Sequence, residues 1–181
     1  MWGLKGKKLL FLSDNMLQKQ SLTPQQALQK LKHFCGYQER NHYETVQKLY
    51  SLGLYKKDVE ILLSQLIEEN YLNEERYAIA FAGGRFRIKQ WGRVKIKYEL
   101  RQHKVSSYNI TNALKEITEI DYLKTLETLA TKKWVALKGE QYLNRQAKTT
   151  SYLLQKGFEL HLISTVIYQL KTSPKDGLNS L

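Results

Sequence analysis

One apolar frame recurs three times along this chain, about 51 to 53 residues apart, and it constrains the fold more than any other feature. Gly53, Lys104 and Gly157 set the register. Four residues before each stand Leu49, Leu100 and Leu153, and one residue after come Leu54, Val105 and Phe158. Further on, in register, come Val59, Ile110 and Ile163, then Leu63, Leu114 and Ile167, then Leu66, Ile117 and Leu170. These intervals keep one face of a helix apolar on either side of a turn. Five matches in three copies exceed what ordinary amphipathic hairpins share. Before each hairpin lies a further helical pattern, at residues 27–35, 77–86 and 123–134.

The frame implies an all-α chain of three tandem three-helix repeats. Proline use agrees: Pro24 and Pro174 are the only two, and ten glycines are too few for a many-turned sandwich or barrel. A three-helix unit of roughly 50 residues has a marginal core alone. Stacked units bury their faces against one another, which predicts an elongated, curved body. The expected units are residues 23–72, 73–118 and 119–171. Residues 1–22 are expected to be a tail or added segment, and residues 172–181 a disordered tail.

Local signals fit this division. Thr23, Pro24 and Gln26 make a helix start with a capping box. Gly53 suits a left-handed C-cap. Lys104 stands where the other copies have glycine, so a left-handed turn there carries roughly 1 kcal/mol of strain, with Ser106 and Ser107 placed to cap the next helix. Asn73 caps another helix, with Glu74 and Glu75 in its first turn. Gly83-Gly84 is expected to weaken that helix, and residues 134–145 read as a helix end followed by a longer connection.

Charge is concentrated in the middle copy. Between residues 85 and 104 there are eight Lys/Arg and one acid, Glu99, within a chain of net charge +12. Like charges four apart on a helix repel by a few tenths of a kcal/mol. An anionic partner that neutralises them is the simple explanation, against the bland reading of a solvated basic surface. The candidate binding residues are Arg85, Arg87, Lys89, Arg93, Lys95, Lys97 and Arg101. Arg93, Lys97 and Arg101 are expected to form an outward row flanked by Lys95, while Ile96 and Leu100 point inward. Nothing in the pattern offers base readout, so the contacts should position rather than specify. Trp91 and Phe86 are candidates for stacking on single-stranded bases, the alternative for both being a core role or, for Trp91 with Gly92, a hinge.

Catalytic and metal signals are weak. His33, His42, His103 and His161 are scattered without ligand spacing, and no carboxylate cluster suits metal-dependent cleavage. Cys35 is the single cysteine and sits at an apolar helix position, which fits a small core residue and a reducing cytoplasm. The run Leu9-Leu10-Phe11-Leu12 is too short to span a bilayer. The expectation is a cytoplasmic, monomeric protein with no cofactor, no metal and no membrane.

The residues Tyr71-Leu72-Asn73-Glu74-Glu75-Arg76-Tyr77-Ala78, Phe81, Arg85-x-Arg87, Trp91-Gly92 and Lys95-Ile96-Lys97-x-Glu99-Leu100-Arg101 resemble the RecX family of RecA regulators. Leu153-Leu154-x-Lys156-Gly157-Phe158 is also like that family. The resemblance spans residues 23–171. It implies binding to the RecA filament on single-stranded DNA and restraint of RecA's recombinase, ATPase and co-protease activities. The family's basic positions fall here on Arg85, Arg87, Lys95 and Lys97. Its usual turn has two glycines and a proline, where this chain has Gln90 and Arg93 in place of one glycine and the proline. The alternative is a general nucleic-acid-binding helical repeat without a RecA target.

Overall fold

The computed structural model describes residues 22–172, so the two expected tails lie outside the described residues except for Leu22 and Thr172. The described residues form nine α-helices and no strand. In chain order these are α1 (Pro24–Tyr37), α2 (His42–Ser51), α3 (Lys56–Glu68), α4 (Glu74–Lys89), α5 (Arg93–Gln102), α6 (Ser107–Lys115), α7 (Glu119–Ala136), α8 (Tyr142–Lys156) and α9 (Leu160–Thr172).

The helix starts follow their capping chemistry. Thr23 makes the full capping box with Gln26. Asn41, Asn73, Ser106 and Thr118 each accept the backbone N–H three residues on. The frame's turn is left-handed in all three copies, with φ of 86° at Gly53, 58° at Lys104 and 90° at Gly157. Lys104 therefore does take the strained conformation, and its ammonium lies 4.8 Å from the centre of the Tyr43 ring.

Two local expectations need revision. α4 runs unbroken through Gly83-Gly84 to Lys89. Its packed face, Tyr77, Ala78, Ala82 and Phe86, continues on both sides of the glycines. That burial outweighs a propensity cost of about 1 kcal/mol per glycine. Residues 134–145 are not one long connection either. α7 continues to Ala136 and α8 is helical from Tyr142. The start of α8 was hidden because Gln141 makes no side-chain cap and its first turn carries no acid. A tertiary contact supports it: Arg145 Nε donates to the Trp134 carbonyl at 2.8 Å, and its guanidinium lies 4.2 Å from the Trp134 ring centre.

The interior falls into two bodies of apolar side chains. Ala27, Leu28, Leu31, Leu49, Val59, Leu62 and Leu66 fill the first three helices, closed by Leu72 and, at the edge, Leu22. The second core runs continuously through α4–α9. Tyr122 of α7 bridges it, 5.9 Å from the Phe86 ring and 5.2 Å from the Phe158 ring. Cys35 of α1 is buried, and burial pushes its thiol above the ordinary value.

The join between the two bodies is polar. Asn41 Nδ2 donates to the Tyr77 hydroxyl at 3.3 Å, and that hydroxyl lies 2.5 Å from His103 Nδ1. Arg76 meets Glu39 at 2.6 Å and donates to the Asn70 carbonyl at 3.0 Å.

Candidate polyanion interface

The N-terminus of α5 decides how the basic segment is aimed. Gly92 caps it without a side chain, and no acid stands in its first turn. The free N–H groups are taken up from elsewhere. Gly92 N–H donates to the Lys156 carbonyl at 2.8 Å, and Val94 N–H to the Gly157 carbonyl at 3.1 Å. Between them Arg93 N–H donates to the Tyr122 hydroxyl at 2.9 Å. The carbonyl end of α8 thus caps the amide end of α5, satisfying both and aligning their dipoles favourably.

This seat requires two glycines. A Cβ on Gly92 would lie 2.1 Å from the Gly157 oxygen, and one on Gly157 would lie 2.3 Å from Lys95 Cβ. The connection into α5 turns through Gln90, which is left-handed at φ 52°. Trp91 and Gly92 are therefore a fixed joint.

The candidate cations divide into groups. Arg85, Trp91 and Lys95 come together: the Arg85 guanidinium is 5.3 Å and the Lys95 ammonium 4.6 Å from the Trp91 ring centre. Lys95 also donates to the Gln155 carbonyl at 3.3 Å. It does not flank the Arg93–Lys97 row, because a step of two residues turns about 200° around a helix. Arg93 is engaged in structure. It pairs with Glu119 at 2.8 Å, donates to the Ile117 carbonyl at 3.0 Å and covers the Tyr122 ring at 4.1 Å. Its row is outward only from Lys97 onward. Lys97 and Arg101 are exposed, as are Arg87 and Lys89. Ile96 and Leu100 are fully buried between the two flanks of α5.

Lys97, Arg101 and Lys104 make no ion pair among the described residues. Lys97 shares a hollow between α5 and α6 with Lys115, Thr111 and Thr118. Phe86 is 8% exposed and packs on Tyr122, so it is a core residue with no face for a base. Trp91 is half-buried.

Sequence reasoning missed Lys115 and Lys156. Lys156 Nζ donates to the Lys89 carbonyl at 3.1 Å, joining the third set of helices to the end of α4. Its signal was its place beside Gly157, the register residue of the third copy. The buried Tyr122 hydroxyl was also missed. Besides accepting from Arg93, it donates to Glu159 at 2.6 Å. Burial, then that carboxylate, push its pKa far above the ordinary range. Among the described residues no group of three His, Cys, Asp or Glu side chains could hold a metal ion, and no helix is long and apolar enough to cross a membrane.

The fold and this surface define a basic, all-helical repeat protein with its densest run of cations on the middle repeat. Comparison with known proteins narrows the class. Residues 73–114 match the model of the second three-helix domain of RecX, and residues 119–167 that of the third. A "Regulatory protein RecX" of Prosthecochloris aestuarii is 31% identical over 81% of this chain and 95% of its own. The Oceanobacillus iheyensis protein of the same name is 26% identical over 78% of this chain. This chain spans 52% of that relative's length, and 53% of the Bacillus cytotoxicus one. The crystal structure of RecX from Lactobacillus salivarius superposes with a TM-score of 0.76 at 25% identity, covering 83% of this chain and 97% of that one. The chain belongs to the RecX family of regulatory proteins.

Proposed function

We propose that this protein binds the RecA filament on single-stranded DNA and restrains RecA's ATPase, recombinase and co-protease activities, without catalysis of its own. The observation that carries this reading is the exposed series Lys97, Arg101 and Lys104, free of ion pairs among the described residues and held by the seat of α5 on α8. Arg87 and Lys89 extend the basic surface from α4, while Arg85 and Lys95 gather at the half-buried Trp91, a candidate for stacking. The contacts are with phosphate or with acidic protein groups and do not select a sequence. Family membership supports the regulatory role, since relatives over most of this chain bear the name of a regulatory protein.

The second reading is a nucleic-acid binder without a protein target, favoured by the same charge. RecA's single-strand-dependent ATP hydrolysis separates the two. Titrating in this protein is expected to depress the hydrolysis rate at concentrations too low to cover the DNA. A rate that falls only when free DNA is titrated out favours the second reading.

A further inference from the structure

A groove opens where the first three helices meet α4, and its chemistry differs from that of the basic surface. One stripe of α4 forms its long wall: Phe81, Arg85, Ile88 and Lys89, with Tyr77 and His103 also lining it. Glu39 and Glu44 line it from the first body of helices. The walls therefore carry opposite charge, with apolar side chains between them. Ile88 is 78% exposed at the cationic end of the helix, where with Phe81 it gives the groove an apolar floor.

Three features say what this groove takes. At about 330 Å³ and partly open to solvent, it stands at the bottom of the range for a small-molecule site, roughly 300–1,000 Å³. The unpaired Glu44 carboxylate on one wall repels a phosphate chain, so nucleic acid is a poorer occupant than a segment that also brings a cation. Among the described residues Glu39 is already bound at Oε1 by Arg76 and its Oε2 is buried out of reach, whereas the half-buried Glu44 carboxylate has no partner. A carboxylate left open in this way favours an arriving cationic donor.

We propose that this groove docks a protein segment bearing an apolar side chain flanked by a basic group and an acidic one. The apolar side chain packs on Phe81 and Ile88. The basic group meets Glu44, and the acidic group meets Arg85 and Lys89. The proposal rests on the filament reading above and assigns the labour within it: the groove holds the protein subunit, and the Lys97–Arg101 row meets the polyanion. A bipolar groove also fixes the direction in which the segment lies, because reversing it sets like charges together.

The test measures binding of the full chain to a single-stranded oligonucleotide, naked and coated with RecA in a slowly hydrolysed nucleotide. Ile88→Ser removes the anchor without changing charge, and Glu44→Gln removes one acid from a basic neighbourhood. Melting curves confirm that both variants fold as the parent does. Ile88→Ser is expected to weaken binding to the coated strand about tenfold and to leave the naked strand unaffected. Glu44→Gln separates the ideas by sign: it weakens binding to the coated strand, whereas a surface that binds only polyanion tightens when an acid is lost. Parent protein that prefers the coated strand, with both variants retaining that preference in full, overturns the groove and leaves the filament reading standing. Loss of both kinds of binding together also overturns the groove. Parent protein with no preference for the coated strand overturns the filament reading, and this docking role with it.

Discussion

Gly92 shows what a single residue does here. Its missing side chain lets the carbonyl end of α8 reach the amide end of α5, with the Gly157 oxygen 2.1 Å from where a Cβ would stand. Gly92→Ala sets a methyl group against backbone, which cannot rotate away. The expected loss of stability is about 2–3 kcal/mol, by analogy with overpacking in a core, read as a lower melting temperature and denaturant midpoint. An unchanged midpoint would mean that the joint is loose. In the sequence Gly92 was visible as part of a hinge beside Trp91. Its partner Gly157 was visible only as the register residue of the third copy. Nothing local links two glycines more than sixty positions apart, so the contact that makes the hinge rigid was not legible. Lys104 was the opposite case. The repeat itself implied a left-handed turn there, and φ is 58°.

At the scale of elements, the helices and their buried faces were largely readable, because both follow from spacing and caps. α8 escaped because its start lacks a cap, and α4 was expected to weaken because glycine propensity was weighed without the packing that opposes it. The division of the cations on α5 was not readable. The partners that distinguish Arg93 from Lys97, namely Glu119, the Ile117 carbonyl and Tyr122, come from the next helices along. Tyr122 ties three elements together through Arg93 N–H and Glu159. Its raised pKa means that the folded protein keeps this proton where the unfolded chain releases it, above the ordinary value of 10.0. The stabilisation is complete below pH 10.0 and declines as pH rises beyond it. Tyr122→Phe is expected to cost roughly 1–2 kcal/mol near neutral pH and to make the alkaline decline in stability shallower. Urea melts of parent and variant at neutral and alkaline pH check both parts, and equal alkaline slopes would contradict the assignment.

For the whole molecule, the repeat gave the architecture and the structure adds how the repeats are joined. The second and third sets of helices share one continuous core and a backbone seat, while the first meets them through a polar junction around Tyr77, His103 and Asn41. The basic row is therefore carried on the more rigid body, and the bipolar groove lies at the join between the two. The central claim is that Lys97 and Arg101 are a working face and not a solvated one. The direct measurement is filament binding by Lys97→Glu/Arg101→Glu at moderate salt, beside its melting curve. Both side chains are exposed and make no ion pair among the described residues, so the melting temperature should stay within a few degrees of the parent. Binding to RecA-coated single strands should fall by at least about tenfold. Undiminished binding by a normally folded double variant would contradict the claim and place the working face elsewhere.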